Sequence, residues 1–486
     1  MRRLVALLAV SAALVSACSN SQPQAERAGG AAFGGAEPRP KGDHPGPRPL
    51  GADSYRAEGN VVAAAGENAQ YNYAPSLMAD GGRVRMWWCS QLVSAPPPGD
   101  DVLYAEAPAP NGPFDAGRAV FSGSGNGFDA RHTCDPSVLR VNGTYYLYYT
   151  GASTDHSGNA IGVATSTDGV TWARANGGRP VVSSSYEVSR GNPYGAGQPS
   201  VVFLDGWYYL LFTDTNGRAA GPNGAGQFVL RSPDPMFASG VESLGDHGFR
   251  PGMGRDRTIV DAFSADWMWV AALNSFAIAH EADGGTSITF WNRDFTANPY
   301  QPVLVAGPWE EGPGLVRRPD GHAPVDPRNP CGRIPVDLVR ATRDRAEPTD
   351  LQHFGLTLNN PWSCENSAAA LATLNGFAVP GPQRTVDLVL AGQLFRIDRK
   401  SVAEAIGATV IGARPAAMDN VKPAARVIAG VQALRAQGRG IGLLVDGQLY
   451  PVASAAVAAA NSSPVVDVAP ALWDGYSVGP ALTVSR

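Results

Sequence analysis

The chain carries little excess charge of either sign: 38 Lys and Arg stand against 43 Asp and Glu in 486 residues, for a formal net charge of −5. That balance leaves no basic face for a phosphate backbone, so nucleic acid is not an expected partner. Past the N-terminus no segment reaches the roughly 18 consecutive apolar residues that mark a membrane-spanning helix. Cysteine is scarce, five in all, and no two stand at the C-x-x-C spacing that structural zinc uses. Neither His132 nor His280 has companion carboxylates at metal-binding spacing. No metal and no cofactor are therefore expected.

The chain opens with Arg2 and Arg3, followed by an apolar stretch from Leu4 to Val15. About 12 apolar residues fall short of the roughly 20 needed to span a bilayer, which is the pattern of an export signal. The residues Val15-Ser16-Ala17-Cys18 resemble the lipobox of bacterial lipoproteins. That resemblance implies a signal peptide of residues 1–17, diacylation of Cys18, and an extracytoplasmic chain anchored to the bacterial cell envelope through its N-terminal lipid only. Residues 18–66 are rich in Gly, Pro and Ala with few large apolar side chains, and read as a flexible tether. Four cysteines remain, an even number that suggests two disulfides in an exported protein. Of the three possible pairings, Cys89–Cys134 and Cys331–Cys364 each close a short loop.

Self-similarity organises the next 300 or so residues. Ala74-Pro75-Ser76, Asp135-Pro136-Ser137 and Gln198-Pro199-Ser200 recur with prolines 61 and 63 residues apart. Each opens a short apolar strand, a tight turn (Asp80-Gly81-Gly82, Asn142-Gly143, Asp205-Gly206) and an aromatic strand, a hairpin pattern. Two weaker copies begin near Ile259 to Phe263 and Glu311 to Val316. Antiparallel units of this kind, unable to bury both faces alone, stack radially. The expected fold is all-β, a five-bladed β-propeller over residues 67–375, with a smaller C-terminal α+β domain over residues 380–486. In that tail Gly392 to Ile397 and Gly447 to Val452 are matching hairpin strands, each followed by a small-residue run of helical composition.

In a propeller the residues just before the innermost strands converge on one cavity. Read down the copies they are Ala74, Asp135, Gln198, Asp261 (or Asp256) and Glu311. Three carboxylates in one pocket suit glycosidic bond hydrolysis, which needs a group to activate water or attack, a proton donor, and a group that keeps the donor protonated. Residues 70–360 resemble the five-bladed propeller glycoside hydrolases, the group of arabinanases, β-xylosidases and fructosidases. The match lies in Asp135-Pro136-Ser137-Val138 with its aromatic second strand Thr144 to Tyr149, and in Glu311-Gly312-Pro313. The resemblance implies a base or acid-modulating role for Asp135 and a proton-donor role for Glu311. Asp261 is the third candidate catalytic carboxylate; Tyr73, Trp88, His132 and Gln198 are the candidate substrate-binding residues.

Ala74 departs from that group, which places its base aspartate before the first blade's proline. A methyl group accepts no proton. Two functions follow: a glycan-active surface lipoprotein that hydrolyses furanoside or xyloside linkages of a polysaccharide or oligosaccharide, or a non-catalytic glycan-binding or envelope-scaffold propeller.

Overall fold

A computed structural model describes residues 46–64, 71–92, 96–154, 158–342, 349–360 and 364–484. The expected signal peptide and Cys18 lie outside the described residues. The described chain is mostly β, and no helix in it is long and apolar enough to cross a membrane.

Between Asn72 and Asn359 the strands form antiparallel sets, each built outward from one inner strand. The inner strands are Asn72–Asp80, His132–Val141, Ala196–Leu204, Ala265–Val270 and Gly314–Arg317. In the first three sets the second strand folds straight back over a two-residue turn. Asn142 and Gly143 hold φ of 51° and 81°, and Asp205 and Gly206 hold 49° and 84°; positive φ at both central residues is the turn that matches strand twist. An apolar cluster fills the space between each set and the next. Trp87 and Met78 of the first set, for example, pack against Val138 and Leu147 of the second.

The last set is completed from the far end of the chain. Gly51–Ala63 pairs antiparallel with Asp350–Asn359, and Gly314–Arg317 pairs parallel with Asn72–Asp80. The first and last sets thereby merge into one eight-stranded sheet. This strand corrects the expectation of a tether reaching residue 66. Composition reports how much side-chain surface a segment can bury, whereas this strand is held by its backbone along a sheet edge. Arg56 adds bonds to Asp337, 2.8 Å away, and to the carbonyls of Val336 and Leu356.

The x-Pro-Ser motif has a structural meaning on each side of its proline. Ala74, Asp135 and Gln198 all adopt left-handed backbone, with φ of 41°, 47° and 52°, and each sits at a register shift against the second strand. Such a bulge re-aims the side chain. The serine that follows bridges sets: Ser76 Oγ accepts the Val138 amide at 3.0 Å, and Ser137 Oγ accepts the Val201 amide at 3.0 Å. Ser200 Oγ accepts from Trp267 at 3.3 Å, and Asp266 Oδ2 from Leu315 at 2.6 Å.

Arg317 gathers these groups. Its guanidinium, with only 1% of the residue exposed, donates to the hydroxyls of Ser76, Ser137 and Ser200 at 3.2–3.4 Å and to the Trp267 carbonyl at 3.0 Å. It also lies 3.1 Å from Asp266 Oδ1. One side chain of the last inner strand therefore touches all four others.

The expected disulfides are both formed, with Cα separations of 4.8 Å for Cys89–Cys134 and 5.5 Å for Cys331–Cys364. The tail begins with helix α1 (Ser367–Thr373) and continues as two five-stranded sheets of identical order. The first contains Val386–Leu390 and Gln393–Ile397, then helix α2 (Lys400–Ile406). The second contains Gly440–Val445 and Gln448–Val452, then helices α3 (Ala455–Ala460) and α4 (Pro470–Trp473). Both sheets share one apolar core, with Phe395 and Tyr450 edge to face at 5.7 Å.

Removing the Arg317 guanidinium would strand the buried Asp266 carboxylate. Arg317→Met is expected to cost about 3–5 kcal/mol, the scale for breaking a buried ion pair. Urea unfolding monitored by tryptophan fluorescence measures it, and a loss below about 1 kcal/mol would mean that the hub contributes little.

Candidate active site

The residues that open the inner strands meet at one cavity. Ala74, Asp135, Gln198, Ser264 and Gly312 line it, around about 290 Å³ of empty space that is partly open to solvent. In the last set the left-handed residue before proline is Gly312, at φ 60°, so Glu311 stands one position earlier than the motif alignment implies. Glycine is required there. A Cβ on Gly312 would lie 2.6 Å from the Ala74 Cα, closer than real side chains approach. Ala74 and Gly312 are thus the tight seam where the first and last sets meet.

Glu311 is tied to this cavity through Gln198, which lines it. Its Oε1 accepts a hydrogen bond from Gln198 Nε2 at 2.7 Å, and on its other side it lines a smaller adjoining cavity with Glu281, Trp309 and Arg340. Burial pushes the Glu311 carboxyl up to about 8, with the neighbouring charges of Asp135, Glu281 and Glu310 adding to the shift and the Gln198 bond opposing it. Asp135 is buried and shifted up to about 6, chiefly by burial and further by Asp100; bonds from Thr150 and Tyr194 pull the other way. The Tyr194 hydroxyl donates to Asp135 Oδ2 at 3.1 Å. Behind Asp135 lies the Cys89–Cys134 disulfide, whose sulfurs sit within 4.8 Å of the carboxylate. Neighbouring, desolvated carboxyls that repel one another titrate apart, the arrangement that gives one acid and one base near neutrality.

Asp261 is not brought to this cavity. It is exposed, because the inner strand of its set starts at Ala265 and the aromatic run Trp267 to Val270 is that inner strand rather than the second one. Ser264 takes the cavity position instead. The fourth set lacks the x-Pro-Ser motif, so its register was hidden. Of the four candidate substrate contacts, Gln198 lines the cavity. Trp88 is 3% exposed, with its indole N–H donated to Asn72 Oδ1 at 2.7 Å, and is a core residue. His132 is buried beside Asp100, 3.0 Å from its carboxylate, and braces the Asp100 loop. Tyr73 is half-buried and packs with the cluster around Trp88. None of these three lines the cavity.

Glu281 is the carboxylate that sequence reasoning missed. It accepts the amides of Phe263 and Ser264, so it shapes the loop entering the fourth inner strand, and burial raises its pKa. The available signal was a Glu closing the apolar strand Ser275–Ala282, where charged residues are rarely buried without purpose. Gln198 supplies a further feature: its Oε1 is buried and has no partner among the described residues, leaving an acceptor ready for a hydroxyl.

No family model matches the chain. A stretch of 118 residues is 30% identical to the arabinan endo-1,5-α-L-arabinosidase A of Aspergillus niger and to a probable enzyme of the same name from a named strain of that fungus. It covers 24% of this chain and 35% of each relative, so the match spans about a third of the curated relatives' length. Among solved structures, a family 117 glycoside hydrolase of Zobellia galactanivorans aligns with a TM-score of 0.41 and 12% identity, over 64% of this chain and 89% of its own. The α-L-arabinofuranosidase of Podospora anserina aligns with a TM-score of 0.40 and 13% identity, over 65% of this chain and 98% of its own.

A carboxyl whose folded pKa is raised to about 8 stabilises the fold only while protonated. The unfolded chain ionises near the usual glutamate value of about 4.3, so this contribution is complete below that pH and lost as pH rises toward 8. Glu311→Gln removes the penalty. Its melting temperature is expected to rise by a few degrees relative to wild type at pH 8, with the gap closing at pH 4.5. A gap independent of pH would contradict the raised pKa.

Proposed function

We propose that the sets between residues 51 and 359 are the five blades of a β-propeller, and that this propeller is a glycoside hydrolase acting on furanoside or xyloside linkages. The observation that carries this reading is the pair of neighbouring carboxyls Asp135 and Glu311, which line adjoining cavities joined through Gln198 and are shifted to about 6 and about 8. Between those values Glu311 holds its proton and Asp135 is ionised. In the proposed reaction Glu311 gives its proton to the departing glycosidic oxygen as the bond to the anomeric carbon breaks. Water completes the substitution at that carbon and yields its proton to Asp135. Gln198 orients Glu311 and offers its unpaired carbonyl oxygen to a sugar hydroxyl. The export signal and the lipobox-like Cys18 support a place outside the cytoplasm, on the envelope surface, where polysaccharide is met.

Ala74 favours a second reading. Without a carboxylate at that position the same cavity suits retention of a glycan without cleavage.

Arabinan and chromogenic α-L-arabinofuranosides, β-D-xylosides and β-D-fructofuranosides are the substrates to screen with the purified protein. Hydrolysis of at least one is expected, with a bell-shaped pH dependence whose limbs fall near 6 and 8. Glu311→Gln and Asp135→Asn should each lower the rate by about 100-fold or more, the scale of general acid–base catalysis. Wild-type rates in both variants would remove the catalytic assignment. Retention of an oligosaccharide without turnover would establish the binding reading.

A further inference from the structure

Asp135 receives a hydrogen bond from a side chain that belongs to no inner strand. Tyr194 stands in the loop that precedes the third inner strand, Ala196–Leu204, and its hydroxyl donates to Asp135 Oδ2 at 3.1 Å. The loop backbone is pinned on both sides of it. Asn192 Oδ1 accepts the Tyr194 amide at 3.1 Å, a turn that asparagine closes over its own backbone two residues on. The Tyr194 carbonyl accepts the Asn159 amide at 2.7 Å, and the Gly195 amide donates to Thr215 Oγ1 at 2.9 Å.

The ring lies where only a glycine leaves room for it. A Cβ on Gly197 would stand 2.5 Å from the Tyr194 hydroxyl oxygen and 2.8 Å from its ring, so the tyrosine reaches the carboxylate across a missing side chain. Its other support is Phe263, edge to face with ring centroids 4.9 Å apart. Phe263 is itself held at both ends of its backbone: its amide donates to Glu281, and its carbonyl accepts Gln227 Nε2 at 2.8 Å. Groups from the second, third and fourth sets thus converge on the placement of one hydroxyl.

The charges that face Asp135 oppose its ionisation. Asp100 lies behind it, with His132 3.0 Å from the Asp100 carboxylate, and Glu311 lies toward the last set. Asp266, which also lines the cavity, is paired with Arg317 at 3.1 Å. What favours the ionised form is hydrogen bonding from Tyr194 and from Thr150, whose Oγ1 also accepts the Gln198 amide at 2.8 Å. A donor that bonds the charged form of a carboxyl stabilises that form. We propose that Tyr194 is the positioning residue of the base: it fixes the Asp135 carboxylate and, by donating to it, favours the ionised form that takes a proton from water. This role rests on the base assignment of Asp135 proposed above.

The test is a carbon-detected NMR titration of the purified protein labelled at Asp, with the Asp135 signal assigned by its loss in Asp135→Asn. Tyr194→Phe keeps the ring against Phe263 and over Gly197 and removes only the hydroxyl. The Asp135 titration is expected to rise by about one pH unit, the share of one bond where two or three donors together can hold a carboxylate below about 2. This readout needs no substrate. With a substrate from the screen, the acidic limb of the rate should move up by the same amount in Tyr194→Phe. An unchanged Asp135 titration in Tyr194→Phe would overturn the proposal. So would a titration that rises in Tyr194→Ala alone, because the ring's packing and not its hydroxyl would then be what acts. A raised titration with an unmoved acidic limb would instead remove Asp135 as the base, and the positioning role would fall with that reading.

Discussion

Everything near the centre of this protein depends on where one buried cation sits. Arg317 comes from the last inner strand and bonds groups on the other four: Ser76, Ser137, Ser200 and the pair Asp266 and Trp267. A guanidinium offers five donors in a fixed plane, so it can satisfy several hydroxyls at once where a lysine would act as a point charge. The cost of burying it is offset by Asp266 and by the hydroxyl dipoles around it. Because each serine also accepts an amide from the next strand, the same ring of bonds sets the spacing between sets.

The cavity inherits its geometry from that ring. Ala74, Asp135 and Gln198 each stand two residues before a hub serine, with only a proline between, and a left-handed bulge turns each of them the other way. A small displacement of the hub is therefore passed to the cavity through stiff backbone. The Ala74–Gly312 seam works in the same sense. Close contact there requires glycine at position 312, so the last set carries its carboxylate one residue earlier, at Glu311. Glu281, from a second strand, acts on Glu311 through its charge and on Ser264 through the amide that it accepts.

Much of this was legible in the sequence, and what was not has physical reasons. The three x-Pro-Ser copies marked their inner strands, since proline after a left-handed residue and a bridging serine are local requirements that leave a residue pattern. The fourth set uses Ser264-Ala265-Asp266, in which Asp266 takes the bridging role without the left-handed residue or the proline, so the inner strand starts three positions after Asp261. Asp135 and Gln198 were found because they sit on the repeat. Glu281, Tyr194 and Trp309 were not, because they reach the site from a second strand and two loops, and no local rule ties them to it. Trp88 and His132 show the converse error: aromatic and imidazole side chains near a motif were read as site residues, although the packing of neighbouring sets needed them. The strand Gly51–Ala63 was hidden because backbone pairing to an edge leaves little trace in composition.

The proposed catalysis depends on the ionisation of Glu311 beside Asp135. The direct measurement is a carbon-detected NMR titration of the side-chain carboxyls in protein labelled at Glu and Asp. One glutamate is predicted to titrate near 8, to disappear in Glu311→Gln, and to shift downward in Asp135→Asn, where a neighbouring negative charge is lost. If no glutamate titrates above about 5.5, outside the usual spread of glutamate values, the cavity holds no proton donor of the kind proposed.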